Sequence, residues 1–398
     1  MTAITDTDLK WLISVDDHVI EPPNVWQDRI PKKYLDVAPR MIDTPNGEIW
    51  LYEDKRIPTE GLAATAGKKR EEFSPDSVGF KDMRAGCYDS VARLDDMNRA
   101  GILASLCFPS FTRFCGQIFW EAKDRELAML CVQAYNDWMI DEWCGSAPGR
   151  YIPMIIAPLW DPTLAAIEIE RCAAKGARAV AFSENPEPLG LPTINDPSRY
   201  WDPMFSAAQD AELVVCMHVG SSSRVPHISS DSSFIANLAW GSIRTSGAML
   251  TWLFSGVFQR LPNLKICLSE GGIGWIPYFL ERSEQLLEKH RYWSARGQNV
   301  EGHAIVDSEL DLMNLDVRQL FKDHIYGCFI DDVHGLHSLD EIGEDNVLIE
   351  TDYPHSDSTW PDSIEIANKQ MAHLSKETQY KILRANAERL FRFEPANL

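Results

Sequence analysis

No apolar run in this chain of 398 residues reaches the about 18 residues that a membrane-spanning helix requires, so no spanning segment is expected. The N-terminus, MTAITDTDLKW, has no basic patch followed by an apolar stretch, so no secretory signal is expected and the cytoplasm is the expected compartment. Positive charge is scarce. Lys and Arg number 38 against 59 Asp and Glu, a formal net charge of −21. That balance argues against a nucleic-acid surface or an anionic membrane as partner. A small anionic substrate remains allowed, because a metal ion or an arginine can reverse the field inside a pocket. None of the nine cysteines forms a C-x-x-C pair, and Cys107, Cys216, Cys267 and Cys328 lie in apolar runs, as reduced buried thiols do. No Gly-x-Gly-x-x-Gly follows the first apolar run, which removes the usual dinucleotide-binding form of a doubly wound sheet. Internal repeats, low-complexity tracts and long Gly/Ser linkers are also missing.

What the chain does contain is 45% hydrophobic residues arranged in a recurring pattern. Short apolar, β-branched runs fall at 11–18, 102–108, 151–157, 178–182, 212–218, 264–269, 325–330 and 347–351. Amphipathic stretches long enough for helices separate most of them, at 94–100, 121–143, 162–175, 202–210 and 275–290. Strands alternating with helices imply parallel βα units. Eight such units predict an α/β fold, a (β/α)8 TIM-type barrel, usually about 250 residues before insertions. An open doubly wound sheet is the alternative. Residues 1–398 are read as one barrel domain in which 28–90, rich in Pro, Gly, Lys and Glu and without a clear period, is a long insertion after strand one that serves as a lid or interface element. The stretches 219–260 and 291–322 are also long for simple connections and are expected to carry helices that shape the pocket or a subunit contact.

Chemistry in such a barrel gathers at the carboxyl ends of the strands. Strand one, in WLISVDDHVIEPP, ends with Asp16 and His18, which share a face because strand side chains alternate. Asp17 points the other way. Strand five ends in His218, strand six in Glu270 followed by Gly271-Gly272, and strand eight in Asp352 followed by Tyr353-Pro354-His355. Five ligand-type side chains thus fall at four strand ends on one rim. Glu270 is read either as a pocket acid/base or as the cap of a helix beginning after Gly271-Gly272. His355 is either a loop residue over the pocket or a surface histidine. Arg113 and Arg224, after strands two and five, are candidates to bind a substrate carboxylate or are plain surface arginines.

These segments resemble the amidohydrolase superfamily, in the branch related to aminocarboxymuconate-semialdehyde decarboxylase and the resorcylate-type decarboxylases. That branch shows His-x-His or Glu-x-His on strand one, histidine on strand five, histidine before glycines on strand six and Thr-Asp-Tyr-Pro on strand eight. Here the positions read Asp16-x-His18, His218, Glu270-Gly271-Gly272 and Thr351-Asp352-Tyr353-Pro354, across residues 12 to about 395. Two positions depart from the pattern: Asp16 makes a harder, more anionic site, and Glu270 stands where the family carries a histidine.

The resemblance implies one divalent metal ion held by Asp16, His18, His218 and Asp352, with Zn²⁺ favoured and Mn²⁺, Fe²⁺ or Mg²⁺ admitted as oxygen donors accumulate. Beside it, Asp352, Glu270 and His355 are read as the candidate catalytic groups and Arg113 and Arg224 as the candidate substrate-binding groups, and the resemblance implies a homodimer or larger homo-oligomer. The activity it points to is metal-dependent, non-oxidative decarboxylation, or a related C–C lyase reaction, of a small carboxylated aromatic or enol-like molecule. The same shell also suits hydrolysis of an amide, ester, lactone or thioester. An inert barrel acting as a binding module is the third reading, since fold alone does not fix function.

Overall fold

The near-continuous apolar runs become strands because both faces of a parallel sheet are covered, which leaves few polar positions along them. In the computed structural model, residues 4–45, 47–224, 227–294 and 310–397 are described. β1 (Leu12–Val19) leads into a three-stranded antiparallel excursion, β2 (Arg40–Thr44), β3 (Gly47–Tyr52) and β4 (Lys55–Pro58). β5 (Ile102–Pro109) then pairs parallel with β1. β6 (Tyr151–Ile152) pairs with β5, and β7 (Met154–Ile156) pairs with β8 (Ala179–Ser183). Pro153, which has no N–H to donate, divides this one strand position into two. β9 (Val214–His218), β10 (Ile266–Ser269), β11 (Ile325–Phe329) and β12 (Val347–Ile349) follow side by side, all parallel.

The eighth position meets the first just beyond the end of β12. There the Asp352 N–H donates to the Asp16 carbonyl at 2.9 Å, and the His18 N–H donates to the Tyr353 carbonyl at 2.6 Å. The result is the closed (β/α)8 barrel expected from the sequence, and its seam runs through residues read there as metal ligands. Every residue of β1, β5, β9 and β12 is buried.

The helices are placed by their caps. Asp89 accepts from the N–H groups of Val91 and Ala92 to start Ser90–Ala100, and Gly101, with φ +73°, ends that helix and turns the chain into β5. Asp124 and Asp161 cap Arg125–Trp138 and Pro162–Ala173 in the same way, the latter with proline in the first turn. No helix among the described residues is long and apolar enough to cross a membrane. All nine cysteines are free and buried.

The excursion β2–β4 has no readable period because Ile49, Trp50, Leu51 and Tyr52 are all apolar. Only Trp50 and Tyr52 turn inward to full burial, two residues apart as a strand dictates. Their rings pack against Trp26 and Phe119 at centroid distances of 5.4 and 5.5 Å, fastening the excursion to the barrel. The stretch 219–260 carries helices Phe234–Ala239, Ser242–Leu253 and Val257–Arg260. The stretch 291–322 holds the end of Ile276–Ser294 and most of Val317–His324, while 295–309 lie outside the described residues.

Candidate metal centre

Period-two alternation on β1 sends Asp16 and His18 to the same side, where His18 Nε2 lies 3.5 Å from Asp16 Oδ1. Asp17 turns outward from that pair. Its Oδ1 accepts from Ser14 Oγ at 3.0 Å, Thr351 Oγ1 at 2.5 Å and the Tyr353 N–H at 3.0 Å, and its Oδ2 accepts from Ser105 Oγ. One buried carboxylate therefore ties β1 to β5 and to the segment that carries Asp352. Below it, the buried Arg93 guanidinium donates to the His18 carbonyl at 2.6 Å and lies 4.1 Å from the Tyr353 ring centroid.

His218, the last residue of β9, brings Nε2 to 3.2 Å from His18 Nε2 and 3.4 Å from Asp16 Oδ2. Its Nδ1 sits 2.6 Å from the Val219 carbonyl, an acceptor only, so Nδ1 holds the proton and Nε2 presents a bare lone pair to the site. Asp352 Oδ1 lies 3.2 Å from His18 Nε2 and 3.0 Å from His355 Nδ1. The His355 ring stacks on His18 at 3.6 Å, and Phe114 stacks on His218 at 4.0 Å. Glu270, just past β10, reaches His218 Nε2 with Oε2 at 3.1 Å. Among the described residues its side chain accepts no N–H of the following helix, Ile276–Ser294, or of the turn before it. The N–H groups of Ile273 and Gly274 are instead taken by Asp332 Oδ2, both at 2.7 Å. Both Glu270 (φ +55°) and Asp352 (φ +52°) adopt left-handed backbone, a conformation costly for residues with a Cβ and common where a site dictates geometry.

The electrostatics of this cluster call for a cation. Burial, then the charges of Glu350, Asp352 and Glu270, push the Asp16 carboxyl well above the ordinary range. Burial together with Asp352 and Glu350 does the same to Glu270. Burial pulls His18 down to about 4, and burial plus the neighbouring His18 holds His218 well below its usual value, so both imidazoles are neutral at pH 7. Burial opposes ionisation of Asp352, but its contacts with His355 and His18 hold its carboxyl below the usual range. Both oxygens of Asp16 and both of Asp352 are buried without an aligned hydrogen-bond donor, which is costly unless another group satisfies them. Atoms of Asp16, His18 and His218 all lie within 4.8 Å of one another, and so do those of His18, Asp352 and His355. Neutral imidazoles and unsatisfied carboxylates, gathered in two groups that share His18, fit a divalent metal.

Two residues of the site escaped the sequence reading. Glu350, buried and two residues before Asp352, accepts the Glu270 N–H with both carboxylate oxygens at 3.1 Å. Its position at i−2 from a candidate ligand was the available signal. Arg244, in the first turn of Ser242–Leu253, lines the same cavity as Glu270, Glu350 and His355, a space of about 1460 Å³. No local pattern marks it. Arg113 and Arg224 are placed elsewhere: Arg113 Nη1 pairs with Glu121 at 2.6 Å, Arg224 is exposed, and neither lines this cavity.

A closed parallel barrel with ligand-type side chains converging at the carboxyl ends of its first, fifth and last strands defines the metal-assisted class of barrel enzymes. Within that class the chain belongs to the amidohydrolase family, whose model matches residues 44–393. Among curated proteins it is 25% identical to the gamma-resorcylate decarboxylase of Polaromonas sp. over 366 residues, 87% of this chain and 99% of that one. It is 27% identical to the 2-amino-3-carboxymuconate-6-semialdehyde decarboxylase of Dictyostelium discoideum over 214 residues, 52% of this chain and only about half (55%) of that relative's length. Among solved structures, an amidohydrolase from Mycobacterium avium subsp. paratuberculosis superposes with a TM-score of 0.71 at 20% identity, over 96% of this chain and 97% of the other. A dihydroxybenzoic acid decarboxylase from Polaromonas sp. with bound manganese and the inhibitor 2-nitroresorcinol gives 0.61 at 18% identity, over 97% and 98%. At these identities the structural matches establish the fold.

Proposed function

We propose that this chain is a non-oxidative decarboxylase of a small carboxylated aromatic or enol-like acid, dependent on one divalent cation held by Asp16, His18, His218 and Asp352. The observation that carries the reading is the bare, buried acceptor set of these four residues, with a second pair of titratable groups, Glu270 and His355, at its edge. The shared chemistry in the names of the two curated relatives supports decarboxylation over hydrolysis. The cation, Zn²⁺ or Mn²⁺, supplies a Lewis acid for the substrate's oxygens.

The chain's own groups do the rest. Breaking the C–C bond leaves its electron pair on the carbon that carried the carboxylate, and that carbon must gain a proton as CO₂ departs. Glu270, whose carboxyl is pushed well above the ordinary range by burial and its acidic neighbours, has a side chain 24% exposed and opens on the cavity, which favours it as the group that delivers that proton and regains one from water. Glu350 fixes the Glu270 backbone in its left-handed turn through the bifurcated N–H bond. His355 pins the orientation of Asp352 from above, and Phe114 with Phe108 walls the imidazoles away from water.

The test is to strip the protein of metal, reload it with Zn²⁺ or Mn²⁺ and incubate it with a panel of hydroxybenzoates and related acids. Stoichiometric CO₂ release that depends on metal is expected. Hydrolysis of esters, amides or lactones with no CO₂ from any acid would overturn the assignment.

A further inference from the structure

Arg244 has no counterpart in the chemistry derived so far, and its surroundings are unusual. Its Nε and Nη1 are buried, and among the described residues the side chain makes no hydrogen bond and no ion pair. The residue as a whole is half-buried, and because a guanidinium keeps its charge, shielding Nε and Nη1 without acceptors is costly unless a ligand provides them. Arg70, Arg84 and Arg99 also line the cavity; of these, Arg84 is already committed to Asp96 at 2.7 Å and Arg99 lies over the Trp360 ring at 5.2 Å.

Its position is fixed by close backbone approach. The helix Ser242–Leu253 packs so tightly on the turn after β10 that a Cβ on Gly271 would sit 2.3 Å from Thr245 Cγ2. Gly220, two residues past His218, lies beside the guanidinium: a Cβ there would be in ordinary contact with Arg244 Nη1, at 3.8 Å. The charge thus stands between the ends of β9 and β10, in the wall that also presents Glu270. It acts electrostatically on Glu270 and on Glu184, whose own Oε1 is occupied by the Gly220 N–H at 2.9 Å and Ser222 Oγ at 3.0 Å.

We propose that Arg244 anchors a second carboxylate on the substrate, so that the acid this cavity takes is a dicarboxylate rather than a monoacid. The inference rests on the reading of the cavity as a decarboxylase site. A monoacid engages the metal end with its single carboxylate and leaves Arg244 stranded. A diacid satisfies both poles, its second charge meeting the guanidinium on the wall where Glu270 and Glu350 would otherwise repel it.

The experiment measures binding, not turnover. The Mn²⁺-loaded full chain is titrated calorimetrically with benzoate and with benzene-1,3-dicarboxylate. Wild type is expected to prefer the dicarboxylate at least tenfold. Arg244→Met should lose at least tenfold in dicarboxylate affinity, about 1.4 kcal/mol, while benzoate changes less than twofold; Arg244→Lys should recover part of the loss. Manganese stoichiometry and unfolding midpoint are read alongside. Equal wild-type affinity for the two probes overturns the proposal even if the methionine variant fails to fold, and so does an equal loss of both probes in a folded variant. A retained dicarboxylate preference in a protein that releases CO₂ from no acid sinks the decarboxylase reading and leaves the Arg244 assignment standing. CO₂ release without that preference does the reverse.

Discussion

Replacing Asp17 by Ala removes the acceptor for four donors that come from three different parts of the barrel. Three of them are hydroxyls with somewhere else to turn. Ser14 Oγ lies 3.2 Å from the Asp16 carbonyl, Ser105 Oγ lies 3.3 Å from Cys107 Sγ, and Thr351 Oγ1 lies 3.2 Å from Ser14 Oγ. The Tyr353 N–H has no such alternative, since Asp17 Oδ1 at 3.0 Å is its one acceptor among the described residues. A stranded buried N–H costs about 1–3 kcal/mol, and downgrading three bonds to a charged acceptor adds about 0.5–1 kcal/mol each. The sum for Asp17→Ala is about 2.5–6 kcal/mol. Asp17→Asn keeps one oxygen for Ser14, Thr351 and Tyr353 and turns its amide N–H₂ toward Ser105 Oγ, which can accept, so its cost is about 1–2 kcal/mol. Because Thr351 and Tyr353 flank Asp352, the alanine variant should also bind Mn²⁺ more weakly than the asparagine variant. Urea unfolding followed by tryptophan fluorescence, with manganese titration of each variant, checks both effects. Equal destabilisation by Ala and Asn, or a loss below about 1 kcal/mol for Ala, would refute the reasoning.

Two further outcomes are expected. His218→Ala removes the nitrogen whose tautomer is set by the Val219 carbonyl, and metal affinity should fall by more than the about 10–100-fold typical of losing an outer partner; far-ultraviolet circular dichroism should not change, and undiminished metal content after dialysis would refute the ligand set. Glu21, buried and facing the N–H groups of Ser110, Phe111 and Thr112, is pushed up to about 7 by burial, against an ordinary 4.5. A raised acid contributes its full stability below the unfolded value and loses it as pH rises through the folded one, so it should cost about 3 kcal/mol between pH 4.5 and 7 and no more above. Glu21→Gln should flatten that part of the stability profile, and identical slopes for variant and wild type would contradict it.

The barrel was legible because each of its strand positions is apolar on both faces, and the candidate ligands were legible because they terminate those runs. Asp16 and His18 share a face through the period of a strand, and nothing about distant contacts was needed to see it. Glu350 was missed for a related reason: inside a run read as core, a lone carboxylate carries no sign of the backbone N–H it will receive from Glu270, 80 residues earlier. Arg244 was missed because the rotation of a helix against a barrel is set by packing, here by Thr245 on Gly271, and not by local pattern. Arg113 reads as a cavity residue from its place after the second strand. Its backbone, at φ +57°, and Glu121, eight residues on, turn it toward the excursion side instead. The β2–β4 sheet stayed invisible because Ile49 and Leu51 are as apolar as the inward-facing Trp50 and Tyr52.

The seam of the barrel has a consequence for how the protein comes into being. The strand that carries Asp16 and His18 leaves the ribosome before the rest of the site, and the partners of its Ser14 and Asp17 follow 334–337 positions later. Until Thr351, Asp352 and Tyr353 emerge, the nascent chain holds two buried-type ligands with no partner across the gap. The loop they must close is so long that its entropy changes little with a few residues more or less, but the contact is strongly non-local and is expected among the late events of folding. Metal binding at the proposed site would therefore be completed only late in synthesis: a chain arrested before its last strand carries Asp16, His18 and His218 but lacks Asp352, and an ion bound across the seam would fasten the first-made strand to the last.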